Sequence, residues 1–404
     1  MKDNIKTFFE DFINKKSLFK DKKTLQSVFM PKEIIHRDEQ INKIAQIIAP
    51  VLRNEKPSNL FIYGKTGTGK TLSVKYLLNN INEIAKSKNI SLKSIYINCK
   101  LKKVADTEYR LVAELVRFFG KAVPPTGLPT DEVYNKFFSA LDEKKQNILL
   151  VLDELDQLIK KTGDEFIYNL TRINSDLKNS QLTLIGISNN LMFADNLDPR
   201  VKSSLSEEEI IFPPYNALQI QNILKERAKL SFRKGVLDEG VISKCAAYAA
   251  REHGDARRAL ELLRVAGEIA ERNNMEKITI TELDEAEKKI ERDKMIDIIT
   301  TQPNQFQVVL YSILLNDESS KKRNYSISTG GLYSVYKELC SNINLRPLTQ
   351  RRVSDIISEL DMFGLINASV KNKGHYGRTR EITVSIPEPV IPKIKNILKE
   401  DLGL

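Results

Sequence analysis

Four short apolar runs stand out along the chain: NLFIY (59–63), SIYIN (94–98), NILLVLD (147–153) and LTLIGIS (182–188). They are mostly unalternated, which suits strands buried on both faces of a parallel sheet, with helical crossovers between them. The pattern predicts an α/β domain over residues 31–215. Ahead of it, residues 1–30 mix charged residues with Phe8, Phe9, Phe12, Phe19 and Phe29, and read as an extension with some helical tendency. Pro213 and Pro214 break the α/β pattern. From 216 to 298 apolar residues recur at spacings of three and four, as in AAYAAREHGDARRALELLRVAGEIAERN (246–273), and predict an all-α domain. A third pattern, over 299–404, has three amphipathic helices followed by a Gly-containing, charged, β-type stretch at 365–386, which fits a winged helix.

Composition narrows the class. The 404 residues are 41% hydrophobic and 29% charged, a globular balance that excludes disordered and collagen-like chains. Sixty-three Lys and Arg against 53 Asp and Glu give a net charge of +10, compatible with a polyanionic partner or with a Lys-rich solvated surface. Three scattered cysteines (Cys99, Cys245, Cys340) and three scattered histidines (His36, His253, His375) offer neither a disulfide framework nor a structural zinc site. No apolar run approaches the roughly 18–20 residues that span a bilayer, and the N-terminus has no signal-type apolar block. A cytoplasmic protein without a membrane partner is expected.

The chemistry starts at GKTGTGKT (64–71), between the first strand and a helix. It fits GxxxxGK(S/T), the Walker A phosphate loop, and the strand–loop–helix setting is the context that motif needs. Backbone N–H groups of Lys65, Thr66, Gly67, Thr68 and Gly69 would cradle phosphates at the helix N-terminus, with Lys70 on the β- and γ-phosphates and the Thr71 hydroxyl on Mg²⁺. The run NILLVLDELDQL (147–158) ends its strand in Asp153 and Glu154. Asp153 suits Mg²⁺ and Glu154 suits the attacking water. Acids after a strand also cap the next helix, the reading that fits Asp156. Nucleotide hydrolysis with ATP, ADP and Mg²⁺ is the working expectation.

The helix LTQRRVSDIISELDMFGLI (348–366) carries the DNA-type signal. Thr349 is its expected N-cap, and Val353, Ile356, Ile357 and Leu360 its buried stripe. Gln350, Arg351, Ser354 and Ser358 then face outward with Arg352 beside them, as in a helix-turn-helix reader. The hairpin SVKNKGHYGRTREITVSI (369–386) brings Lys371, Lys373, His375, Tyr376, Arg378 and Arg380 to its tip. Residues 321–380 hold eleven Lys and Arg against four Asp and Glu, most of the excess of the chain. Such a surface can neutralise DNA phosphates, although winged helices also serve protein contacts.

With Ser188-Asn189 ending the next strand, these motifs resemble the AAA+ ATPases. HRDEQI (36–41), GKTGTGKT, DELD, ISNN, LDPRVKSSLS (197–206), FPPYNA (212–217) and GDARRALELLRVAGEIA (254–270) together resemble the archaeal replication initiators. That family unites the largest subunit of the origin recognition complex with the cell-division-cycle helicase loader. The resemblance, over roughly residues 30–404, implies an α/β AAA+ base with an all-α lid and a winged-helix DNA-binding domain. It implies Asn189, or its neighbour Asn190, as sensor 1, and Arg257, with Arg258 second, as the lid arginine of sensor 2. Tyr215 and Arg227 join Lys70, Thr71 and Arg257 around ATP, with residues 31–37 near the adenine. Arginine fingers of related proteins lie in the segment matching DPRVKSSL. Here the later position is Ser204, which leaves Arg200 as finger or as partner in an intramolecular ion pair. The resemblance also implies a second DNA contact at Thr126-Gly127-Leu128 in the loop 120–134, where an ordinary Pro/Gly loop would look the same.

The implied partners are double-stranded origin DNA, the replicative minichromosome-maintenance helicase and other initiator paralogues. Location at the nucleoid goes with this resemblance, and tight nucleotide binding with slow turnover, as in a switch, is expected because Ser204 stands at the later finger position. The alternatives are a signalling ATPase with a winged-helix effector and a clamp-loader or transposition-helper ATPase.

Overall fold

The computed structural model describes residues 16–100, 107–124, 127–192, 197–205, 207–323, 327–372 and 378–404. It divides into two compact units after Asp284.

In the first unit the four apolar runs form strands β1 (Leu60–Tyr63), β2 (Leu92–Asn98), β3 (Gln146–Asp153) and β4 (Ser180–Ser188). With β5 (Glu208–Ile211) they make a parallel sheet in the order β2-β3-β4-β1-β5. Successive side chains go to opposite faces, as strand geometry requires. Strand β3 illustrates it: Ile148, Leu150 and Leu152 enter one core with Ile95, Ile97, Leu182 and Leu184. Leu149 and Val151 enter the other with Leu60, Ile62, Ile185 and Ile187. Burial on both faces is why these strands read as continuous apolar runs. β5 lies at the sheet edge, where only Ile210 of Glu208–Ile211 is buried, so its sequence carries no such run.

The register sets up the site. Tyr63 at the end of β1 pairs with Ser188 at the end of β4, and Asp153 at the end of β3 pairs with Ile187. The phosphate loop, the Asp153-Glu154 pair and Asn189 therefore leave three adjacent strands at one edge. Ligands of open α/β sheets bind at that carboxyl edge.

Helices Ala217–Ser231, Val241–Arg251 and Ala256–Arg272 form the expected helical region, followed by the long helix Ile280–Thr300. Asn216 and Gln219 close a capping box at the first, and Asp255 caps the third through the N–H groups of Arg257 and Arg258. Residues 17–29, expected as a separate extension, are instead built into this region. The Phe19 ring stacks on Phe232 at 4.8 Å, and a Cβ on Gly267 would meet the Phe19 ring at 2.5 Å. Glu271 accepts from Ser17 Oγ and Leu18 N–H, Lys22 pairs with Glu268 at 2.5 Å, and the Thr24 and Ser231 hydroxyls bond each other. Among the described residues of this segment, the helical tendency appears as one 3₁₀ turn, Lys22–Leu25.

The second unit holds helices Asn304–Arg323, Thr329–Asn342, Gln350–Met362 and Ile391–Leu402, with strands β6 (Ile327–Ser328), β7 (Ile366–Asn372) and β8 (Arg378–Val384). The strands form an antiparallel sheet in the order β6-β8-β7. Thr349 accepts from the Arg352 N–H, and Val353, Ile356, Ile357 and Leu360 are the buried stripe, as expected. Such a cap contributes about 1 kcal/mol. The short β6 and the C-terminal helix complete a winged-helix arrangement beyond the three helices and hairpin that the pattern predicts.

Candidate functional site

Gly67 and Gly69 adopt φ of +69° and +93°, the left-handed region open to glycine. Neither has room for a side chain: a Cβ would lie 1.7 Å from Asp255 Oδ1 at Gly67 and 2.8 Å from the Tyr215 hydroxyl at Gly69. Thr68 Oγ1 donates to the Lys65 carbonyl across the loop, and Thr66 is exposed. Gly69 caps helix Lys70–Ser87, whose N-terminal N–H groups and dipole favour an anion.

Lys70 is buried, with its three donors on the carbonyls of Gly64 (2.7 Å) and Lys65 (2.8 Å) and on Asn189 Oδ1 (2.8 Å). Burial draws its ammonium down to about 8; Asp153 opposes that shift, the Arg257 charge adds to it, and Asp156 and Asp255 also oppose it. A site that disfavours the charge of its own lysine gains when an anion arrives. Asn190 instead closes a turn, accepting from the Met192 N–H and giving its own N–H to Ser188 Oγ. Of the two asparagines, Asn189 is the one at the phosphate loop.

Asp153 sits at the meeting point of three donors. Its Oδ2 accepts from Thr71 Oγ1 at 2.8 Å and from the Tyr96 hydroxyl at 2.6 Å, and its Oδ1 from the Glu154 N–H at 2.9 Å. Burial and the Asp153 carboxylate push the Tyr96 hydroxyl well above the usual phenol range. Glu154 adopts φ +57° at the start of helix Leu155–Thr162, half-buried, with Lys100 at 3.9 Å. The adjacent oxygens of Thr71 and Asp153 are the hard donors that Mg²⁺ takes, and the glycine cradle fits phosphates. Asp156 does not cap the helix: it accepts from Ser188 Oγ at 3.1 Å and from Gln157, joining β4 to the helix after β3.

The lid brings its own groups to the loop. The Ala256 N–H donates to the Gly67 carbonyl at 3.3 Å, and His253 Nδ1 lies 3.5 Å from Lys65 Nζ. Arg257 is exposed. Arg258, rather than facing solvent, pairs with Glu252 at 3.2 Å within the lid. Arg227 has other partners than the loop: it donates to the carbonyls of Thr24 and Phe29, and its guanidinium lies 4.6 Å from the Phe29 ring. Arg200 makes the intramolecular pair, bidentate to Asp198 at 3.1 and 3.0 Å across the start of helix Pro199–Leu205.

In the second unit Gln350 and Arg351 are exposed in the first turn of their helix. Arg352 lies 3.6 Å from Asp355 and 4.0 Å from Glu359. Arg380, expected at the hairpin tip, instead binds the hairpin to the helix through the Ser354 carbonyl (3.2 Å) and Ser358 Oγ (2.6 Å). Lys373, His375 and Tyr376 lie outside the described residues, as do the side chains of Lys371 and Arg378. In the segment 120–134, which runs into helix Thr130–Leu141 at its end, Thr126 also lies outside them. Gly127 has φ +106°, and Leu128 packs half-buried against the base core.

Residues 53–191 match the family model of an AAA domain, 221–288 that of the Cdc6 AAA+ ATPase-type lid domain, and 297–393 that of the CDC6 C-terminal winged helix domain. An ORC1-type DNA replication protein of Thermococcus onnurineus is 51% identical over 406 residues, covering 99% of this chain and 96% of its own length. The chain belongs to the ORC1-type DNA replication proteins. A second such relative, from Pyrococcus furiosus, is 52% identical over 400 residues, covering 98% and 93%. Among solved structures, the Aeropyrum pernix ORC1 protein in complex with DNA has a TM-score of 0.82 at 41% identity, covering 96% of this chain and 98% of its own. ORC1-type membership sets aside the signalling-ATPase and clamp-loader alternatives, and the three expected layers, AAA base, helical lid and winged helix, are all present. Among the described residues no helix is long and apolar enough to cross a membrane.

Tyr96, Asp255 and His253 stand at the site without having been singled out from the sequence. The β2–β3 register brings Tyr96 opposite Val151, two residues before Asp153, and no short motif encodes that adjacency.

Proposed function

We propose that this ORC1-type protein is an ATP-regulated replication initiator, which binds double-stranded origin DNA and helps recruit the replicative minichromosome-maintenance helicase. The observation that carries the reading is the convergence of Lys70, Thr71, Asp153, Glu154 and Asn189 at one sheet edge, in a chain that also holds a winged helix. The complex of the Aeropyrum relative with DNA supports the DNA half. In this reading Lys65–Thr71 hold the phosphates of ATP or ADP, and Thr71 and Asp153 hold Mg²⁺. The cation, when bound, neutralises charge on the phosphates. Glu154 orients the attacking water and takes its proton, Asn189 and Lys70 hold the γ-phosphate end, and Tyr215 lies under the loop.

Slow turnover suits a switch, since Arg200 is engaged with Asp198 in this chain. The domains of the proposal are the base (31–215), the lid (216–298, joined by residues 17–29) and the winged helix (299–404). The protein would act in the cytoplasm at the nucleoid, alone or with initiator paralogues.

Footprinting of the full chain on DNA flanking its own gene tests the initiator reading. A discrete protected stretch is expected; even protection along the fragment would overturn origin recognition.

The switch makes a separate claim on Arg257, whose charge is felt at Lys70. Arg257→Ala should weaken ATP binding more than ADP binding, by about three- to tenfold. Equal losses for both nucleotides, measured by titration, would assign Arg257 a structural role.

A further inference from the structure

Among the described residues Arg37 is the largest of the fully buried side chains, with only 2% of its surface exposed. A cation so placed is costly unless its donors are met. None of its partners is a carboxylate among the described residues. Nε donates to the Thr68 carbonyl at 2.8 Å, one terminal nitrogen to the Pro213 carbonyl at 2.6 Å, and the other to the His36 carbonyl at 3.4 Å. The guanidinium carbon lies 3.7 Å from the centre of the Tyr215 ring and 5.6 Å from that of Phe212. Three segments thus meet on one side chain: the N-terminal approach to the base, the phosphate loop, and the FPPY crossing into the lid.

We propose that Arg37 is a positioning residue of the nucleotide site, holding the phosphate loop in its binding shape from behind and tying that shape to the crossing into the lid. The proposal rests on the nucleotide reading of GKTGTGKT. In a trans peptide the C=O and the following N–H point to opposite sides. Anchoring the Thr68 carbonyl on Arg37 therefore turns the Gly69 N–H away from the buried guanidinium. Gly69 itself is held against the Tyr215 hydroxyl, on the ring that Arg37 stacks upon. A planar fork of donors reaches carbonyls on different segments while its guanidinium packs over an aromatic ring, a combination that the compact ammonium of lysine does not match. Arg37 acts on the loop backbone and touches no reacting atom, so its loss should weaken ATP and ADP alike, unlike the loss of Arg257.

The test uses the full chain with Arg37→Met, which keeps much of the apolar volume, and Arg37→Lys, which keeps the charge. Binding of ADP and of ATP is titrated, and amide exchange is followed with and without ADP. Arg37→Met should weaken both nucleotides by a similar factor of about ten to a hundred, and Arg37→Lys should recover only part of it. In the unsubstituted protein ADP should slow exchange at 36–38, Phe212 and Tyr215 together with 66–70. Undiminished binding by Arg37→Met would overturn the proposal, as would protection confined to 66–70. Should neither variant fold, the exchange pattern of the unsubstituted protein decides alone. Failure of that protein to bind ADP would instead reject the nucleotide reading, and this proposal with it.

Discussion

Lys70→Ala should abolish nucleotide binding, while Glu154→Gln should bind ATP and fail to turn it over. The two substitutions separate because the residues do different work. The Lys70 ammonium is the buried cation of the loop, and its three donors reach the Gly64 and Lys65 carbonyls and Asn189. In the proposed reading alanine removes the charge that meets the phosphates. It also leaves those oxygens without their donor, at roughly 1–3 kcal/mol for each group that stays buried, so a lower melting temperature should accompany the loss of affinity. Glu154 contributes nothing of that kind to the cradle. It stands half-buried beside Asp153 with its backbone in the left-handed region, a conformation that glutamine adopts as readily as glutamate. Glutamine keeps the shape and loses the base, which for proton transfer is commonly about 10²–10⁴-fold in rate. Nucleotide titration and phosphate release on the two variants check this. Hydrolysis by Glu154→Gln at the unsubstituted rate would remove the role assigned to Glu154. Fast multi-turnover hydrolysis by an isolated monomer would contradict the switch.

What the sequence shows and what it hides follow from how each residue is held. Strands buried on both faces must be apolar throughout, so β1–β4 are visible as runs; β5 at the edge faces solvent with Glu208, Glu209 and Ile211, and is invisible to the same test. The phosphate loop is legible because its glycines answer a local backbone requirement at fixed spacing. The buried stripe of Gln350–Met362 is legible for a similar reason, since 3.6-residue periodicity is a local property. Arg37, Arg227 and Arg380 are a different case. Arg37 and Arg227 donate to backbone carbonyls, which every residue possesses, and Arg380 to the Ser354 carbonyl and a common serine hydroxyl, so no distinctive partner residue is marked in the chain. Their roles depend on which segments the fold brings together. That is why Arg227 points to Thr24 and Phe29, and why residues 17–29 belong to the lid despite their charged, extension-like composition.

Duplex DNA binding by the full chain should fall steeply with salt, and the winged-helix substitutions should sort into two kinds. Phosphate contacts release counterions, so losing one flattens the plot of log affinity against log salt by roughly one unit on any sequence. Arg378→Ala in the basic hairpin is expected to behave this way. Base-edge contacts act differently: their loss should cost about 1–3 kcal/mol on the preferred site and relax the preference at one position. Gln350 and Arg351 are the residues expected to fill that role. Both are exposed in the first turn of a helix whose orientation is fixed by Thr349 at its cap and by Val353, Ile356, Ile357 and Leu360 beneath it. Arg352, one residue on, is near Asp355 and Glu359, so its charge is partly answered within the helix and Arg352→Ala should have a smaller effect than Arg351→Ala. Arg380→Ala should loosen the hairpin from the helix through its lost bonds to Ser354 and Ser358, and should weaken all duplexes without the unit change in salt slope. Competition titrations at two salt concentrations distinguish these outcomes. Binding that ignores salt, or that survives Gln350→Ala and Arg351→Ala with its site preference intact, would move DNA recognition off this helix.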